Sequence, residues 1–194
     1  AGTHEISVIN KDDLHAKLEK VARGEKVSDA SASSADVPND LSFLVGLRKR
    51  IKLSGNGPRG IAIAGTKVYA AEYFTDTVGM IDICPESRPE PQSIALGPKQ
   101  AMSVVRKGEM YFHDAEFCFQ RWQSCATCHP DARVDALNWD LLNDGIGNPK
   151  QTKSMLLSHK TPPAMVSGIR KDAEMAVRKG LQFIQFVVRP EEDA

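Results

Sequence analysis

Residues 57–83 read GPRGIAIAGTKVYAAEYFTDTVGMIDI, and they hold three short runs in which apolar and β-branched side chains dominate, at 61–64, 67–73 and 78–83. Gly65-Thr66 and Thr75-Asp76 lie between the runs and supply the residue types that turns require. A fourth run, Ile94-Ala95-Leu96-Gly97, follows a Pro-rich connection. Four short strands in succession, joined by tight turns, predict one antiparallel sheet.

The pattern repeats upstream. Residues 3–10, THEISVIN, set above residues 75–82, TDTVGMID, pair Thr3 with Thr75, Ile6 with Val78, Val8 with Met80, Ile9 with Ile81 and Asn10 with Asp82. Ile51-Lys52-Leu53-Ser54-Gly55 then echoes residues 94–97. In the upstream copy, residues 11–47 interrupt the repeat. Asp12-Asp13 offer a helix start, Leu14, Leu18 and Val21 recur at helical spacing, and Gly24 offers a stop. Residues 28–40, SDASASSADVPND, have the composition of a flexible loop.

The order Pro58-Arg59-Gly60-Ile61-Ala62 to Val78-Gly79-Met80-Ile81-Asp82 resembles the YVTN-type β-propeller repeat, across residues 1–97. That resemblance implies a partial propeller of one to two antiparallel blades. A closed ring needs about four to eight, so the remaining blades are expected in another chain or in a missing segment of a longer polypeptide. The opening Ala1-Gly2, without an initiator Met, fits the same expectation.

Composition narrows the partners. Lys plus Arg and Asp plus Glu stand at 25 each, so no net field draws nucleic acid or an anionic membrane. Apolar runs such as 183–188 are far too short to span a bilayer.

From Pro98 onward the pattern turns helical. Residues 99–123 carry Val104, Val105, Met110, Tyr111, Phe112, Ala115, Phe117, Cys118 and Trp122 in a broadly helical apolar set that leads into QSCATCHP at 123–130. Two thiols spaced by one helical turn suit the two vinyl groups of a porphyrin, and the adjacent His129 suits the proximal face of its iron. Cys125, Cys128 and His129 are therefore the expected attachment site of one covalently bound haem c. A structural zinc site needs four ligands, and Cys84 and Cys118 are not a second pair at the right spacing. A thioredoxin-like dithiol opens a helix after a strand, whereas here a helix is expected before the motif. Attachment of haem c implies an extracytoplasmic compartment such as the periplasm, where Cys84 and Cys118 either bridge or stay as buried thiols.

Met155, His159, Met165, Met175 and His113 are candidates for the sixth iron position. Residues from His113 onward, with SCATCHPDARVDALNWDLLNDGIGNPKQTKSML and SHKTPPAMVSGIRKDAEMAVRKG, resemble the cytochrome domains of the bacterial di-haem cytochrome c peroxidase superfamily. The resemblance implies Met165, in Thr161-Pro162-Pro163-Ala164-Met165-Val166-Ser167-Gly168, as distal ligand, with His159 as runner-up. His113 reads as a helix-surface histidine. Arg133 and Lys153 are candidates to pair with haem propionates. Trp139 is a candidate to pack on the haem edge, where the resembling enzymes hold an aromatic between two haems. Residues 144–149 read as turn chemistry, 171–188 as a closing helix, and 190–194 as the first turn of another.

The expected fold class is α+β and multidomain: incomplete propeller blades over 1–97, with the insertion at about 11–47, then an all-α class I-like cytochrome c domain over 98–194. The expected function is single-electron transfer through a His/Met-ligated haem, exchanged with a redox partner protein. One alternative is a peroxidase-like oxidoreductase drawing on a second haem from elsewhere, since the chain has one CxxCH. Another is a propeller recognition or surface module with an accessory cytochrome.

Overall fold

The computed structural model describes residues 2–31, 33–84, 90–141 and 145–187. The strand-forming runs become β1 (Glu5–Ile9), β2 (Arg48–Lys52), β3 (Pro58–Ala64), β4 (Lys67–Glu72), β5 (Thr77–Asp82) and β6 (Gln92–Ala95). β3 to β6 form one four-stranded antiparallel sheet in chain order, and β1 pairs only with β2.

The upstream hairpin and β5–β6 share one register: Ile6 faces Ile51 across β1–β2, and Val78 faces Ile94 across β5–β6. Ile6, Ile51 and Leu53 are buried with Val68, Ala70 and Ile81, so the hairpin's apolar face lies on the face of the following sheet. Burying each such side chain stabilises the fold by roughly 1.5–3 kcal/mol. Gly79 is needed here because a Cβ would stand 2.6 Å from Glu72 Oε1 and 3.1 Å from Leu53.

The insertion holds α1 (Lys11–Ala22), with Asn10 rather than the Asp12-Asp13 pair at the cap. Its side chain accepts from the backbone N–H groups of Asp12 and Asp13, at 3.0 and 3.2 Å. Gly24, at φ +77°, ends the helix as the sequence implies. The Ser/Ala/Asp-rich segment departs from the flexible loop expected, because Asp40 gathers it: the carboxylate accepts from the hydroxyls of Ser28, Ser31 and Ser42.

One correction concerns the fold class. The expected all-α domain over 98–194 is not what forms. Its described residues hold α2 (Val104–His113), the single turn α3 (Cys125–Cys128), α4 (Ala173–Phe183), several 3-10 turns, and a small antiparallel sheet of β7 (Asn138–Trp139) and β8 (Lys150–Gln151). Between Arg133 and Asp172 the described residues contain no α-helix, and Gly, Pro and positive-φ positions such as Leu157 and Met165 break the periodicity there. Nor is there propeller closure: the described residues make one four-stranded sheet, one hairpin upon it, and a third, two-stranded sheet.

The helix expected to run into the motif stops early. Asp114 ends α2, accepts from the Glu116 backbone N–H at 2.8 Å, and is buried against His4 at 3.1 Å. Gln120 and Arg121 then take positive φ before the chain reaches the cysteines. The same stretch fastens the C-terminal part to the sheets. Ala115 N–H donates to Gly2 O at 3.0 Å, Arg106 forks onto Asp76 at 2.7 and 3.2 Å, and Arg59 pairs with Glu109 at 3.1 Å. No described helix is long and apolar enough to cross a membrane. The turn expected at 190–194 and the last residue of the helix expected over 171–188 lie outside the described residues.

Candidate functional site

Ser124 opens α3: its N–H donates to Thr127 Oγ1 at 3.0 Å, and Thr127 N–H returns to Ser124 O at 3.0 Å. That closed turn sets Cys125 and Cys128 at its two ends and His129 directly after it, where His129 N–H donates to Cys125 O at 3.0 Å. The cysteine pair thus begins a helical turn of its own, as a redox dithiol also would, so the order of elements does not separate haem from dithiol. Burial pushes both the Cys125 and the Cys128 thiols up.

The end of α4 braces the motif. Gln185, buried, donates from Nε2 to Cys125 Sγ at 3.7 Å, and its carbonyl accepts from Phe119 N–H at 2.9 Å. Gln123 Nε2 donates to Ile184 O at 3.0 Å. Neither glutamine stands out in the sequence, because no spacing rule links positions about sixty residues apart.

Two buried polar atoms beside this turn, His129 Nδ1 and Gln185 Oε1, have no hydrogen-bond partner among the described residues. An orphaned polar atom in a protein interior is costly unless something else meets it. The apolar side chains agree. Among the described residues every buried apolar residue lies at or before Cys118, while Phe119, Trp122, Leu137, Leu156, Leu157, Met165, Ile169, Phe183 and Phe186 are exposed, as are Leu41, Val45, Val104 and Val105 before it. Exposed apolar side chains in the segment that holds the CxxCH turn are compatible with a large, flat, apolar group such as a porphyrin.

The other predicted residues are distributed as follows. Trp139 sits in β7, its Nε1–H donating to Asp135 Oδ2 at 2.7 Å, and Asp135 also receives the Leu137 N–H at 3.1 Å. The loop after the motif is tied across to the next segment by Met155 N–H on Ala132 O at 2.9 Å. Met165 stands 55% exposed at φ +73°, at the start of a loop closed by the Ala164–Arg170 bridge, with Gly168 N–H on its carbonyl at 3.1 Å. His159 is exposed in the 3-10 turn Ser158–Lys160, which packs against α4. Arg133 and Lys153 are exposed. His113 departs from the surface role expected, since its ring lies 6.5 Å from Phe74 of the sheet unit.

None of the four cysteines is in a disulfide, so Cys84 and Cys118 are not bridged. No three His, Cys, Asp or Glu side chains converge as a metal site among the described residues. A structural zinc would need four such ligands, whereas a haem brings four nitrogens of its own.

A stretch of 61 residues, 31% of the chain, is 38% identical to hydrazine synthase subunit gamma of Kuenenia stuttgartiensis, and covers 17% of that relative's length. No family model and no solved structure matches the chain.

Proposed function

We propose that this chain is a c-type haem protein that passes single electrons to and from a redox partner protein in an extracytoplasmic compartment. The observation that carries the reading is a CxxCH turn within a segment in which no described apolar residue is buried. Cys125 and Cys128 would tether the group through thioethers, His129 would hold its iron from the proximal side, and Met165 would take the distal side, with His159 as the other candidate. Bound there, the group supplies one-electron redox chemistry at iron, with a potential raised by a thioether ligand.

The remaining residues position and shield. Gln185 and Gln123 clamp the end of α4 to the motif, which fixes the turn that carries His129. Trp139, held by Asp135, and the exposed apolar side chains would keep water from the group's faces. Arg133 would neutralise a propionate at the rim.

A second reading, the haem-bearing part of an oxidoreductase that draws on another haem outside this chain, is favoured by the partial likeness to a subunit named for an enzyme. Absorption spectroscopy of the matured protein separates the two. A low-spin ferric spectrum with the weak long-wavelength thioether band, unchanged by peroxide, supports electron transfer. A high-spin ferric spectrum that responds to peroxide supports the enzyme.

A further inference from the structure

The outer face of the β1–β2 hairpin is charged. Alternation turns Ile6 and Ile51 inward onto the sheet, so Glu5, Ser7, Arg50 and Lys52 point the other way. An apolar layer stacked on this face would have to desolvate those charges, so the face suits a polar partner. Across from it, the chain between α2 and the CxxCH turn encloses a cavity of about 430 Å³, where Arg48, Arg50 and Glu5 of the hairpin meet Arg121 and Trp122. That volume lies in the range of small-molecule sites.

Three guanidiniums line the cavity against one carboxylate, Glu5. Neither Arg48 nor Arg50 has an ion pair or a side-chain hydrogen bond among the described residues. Arg121 is held from behind: its Nε donates to Glu116 Oε2 at 2.8 Å, which fixes the guanidinium and leaves its two Nη groups for something else. Lys52 takes the other oxygen of the same carboxylate.

The backbone that presents Arg121 and Trp122 is strained. Gln120 and Arg121, neither of them glycine, take φ +54° and +60° in succession. Left-handed backbone is costly for such residues, and strain of this kind clusters at binding sites. Gln120 Oε1 accepts from Trp122 Nε1–H at 3.3 Å, and Phe119 packs edge-on at 5.9 Å, so the indole is held in place while 63% of the residue stays exposed. An indole with its N–H already satisfied offers its flat face to another ring. The oxygens of the ligand follow from the arginines. A carboxylate has two and a phosphate monoester three, and three guanidinium forks match the second.

We infer that this cavity binds a phosphate monoester carried on a planar ring, the chemistry of a mononucleotide, with Arg48, Arg50 and Arg121 on the phosphate and Trp122 against the ring. The inference stands apart from the haem reading, with which it shares no residue.

The test is calorimetric titration of the full chain at low salt with adenosine 5′-monophosphate, inorganic phosphate and adenosine as separate probes. The monophosphate is expected to saturate one site at least about tenfold more tightly than either of its halves. Replacing both arginines (Arg48→Gln with Arg50→Gln), or Trp122→Leu alone, should weaken it by about tenfold or more. These side chains are exposed, and unchanged amide exchange in β4 would show that the variants keep the fold; the comparison of the three probes needs no variant. Inorganic phosphate bound as tightly as the monophosphate, which would make the arginines a site for any anion, overturns the inference. So does adenosine bound as tightly, the absence of saturable monophosphate binding, or an unchanged affinity in either folded variant.

Discussion

Met165 is the residue on which the distal side of the proposed site turns. Its thioether is exposed, at a positive-φ position in a loop closed by Ala164 and Arg170. Met165→Ala is expected to abolish the long-wavelength thioether band while the protein keeps its covalent haem; an unchanged band transfers the role to Met155, and a low-spin spectrum without the band in the unmodified protein transfers it to His159.

Two other residue-scale features are structural. Glu72 is 1% exposed and accepts from Gly55 N–H at 2.9 Å, Thr77 Oγ1 at 2.5 Å and Ser93 Oγ at 2.6 Å. Glu72→Ala would strand three donors, and urea titration should show a loss of about 2–4 kcal/mol. Asp114 is the second. Burial opposes its ionisation, but the His4 hydrogen bond and the Glu116 backbone N–H outweigh burial and hold its carboxyl below the usual carboxylate range. The carboxylate therefore contributes stability that is present above its unfolded value, near 3.9, and is lost as pH falls through the lower folded value. Acid unfolding of Asp114→Asn should accordingly show a shallower pH dependence below about pH 4, and an identical slope would remove Asp114 from the account. Cys125, Cys128 and His129 stand out in the sequence because they lie within five residues. Gln185, Glu72 and the His4–Asp114 pair do not, since each acquires meaning from a distant partner, 110 positions away for the last.

At the scale of elements, strands announce themselves well. The turns at Gly65-Thr66 and Thr75-Asp76 and the alternation between them place β3, β4 and β5 close to where the residues suggest, and the repeat register carries β1 and β2. Helices are less legible. The apolar residues over 99–123 read as one helix, but a side chain that caps and pairs, Asp114, cuts it, and propensity has no knowledge of His4. The cap of α1 is likewise set by Asn10, whose carbonyl oxygen reaches two N–H groups that Asp12 and Asp13 cannot cap for themselves. Asn10→Ala should cost about 0.5–2 kcal/mol of stability, read as faster amide exchange in the first turn of α1. Equal exchange in the two proteins would mean the cap is carried elsewhere.

The whole molecule divides at Cys118. Before it the chain builds its own core around Ile6, Ile51, Leu53, Val68, Ala70 and Ile81. After it, no described apolar residue is buried, and a short turn carries two thiols and an imidazole. An all-α domain was the natural expectation from the motif and its flanks; loops, 3-10 turns and a small sheet form instead. The measurement that tests the haem reading most directly is the intact mass of the protein matured in a host competent for haem c attachment, taken after denaturation. The account predicts the polypeptide plus one haem, with the increment lost when Cys125 and Cys128 are both replaced by Ser. A colourless protein at the bare polypeptide mass would contradict it.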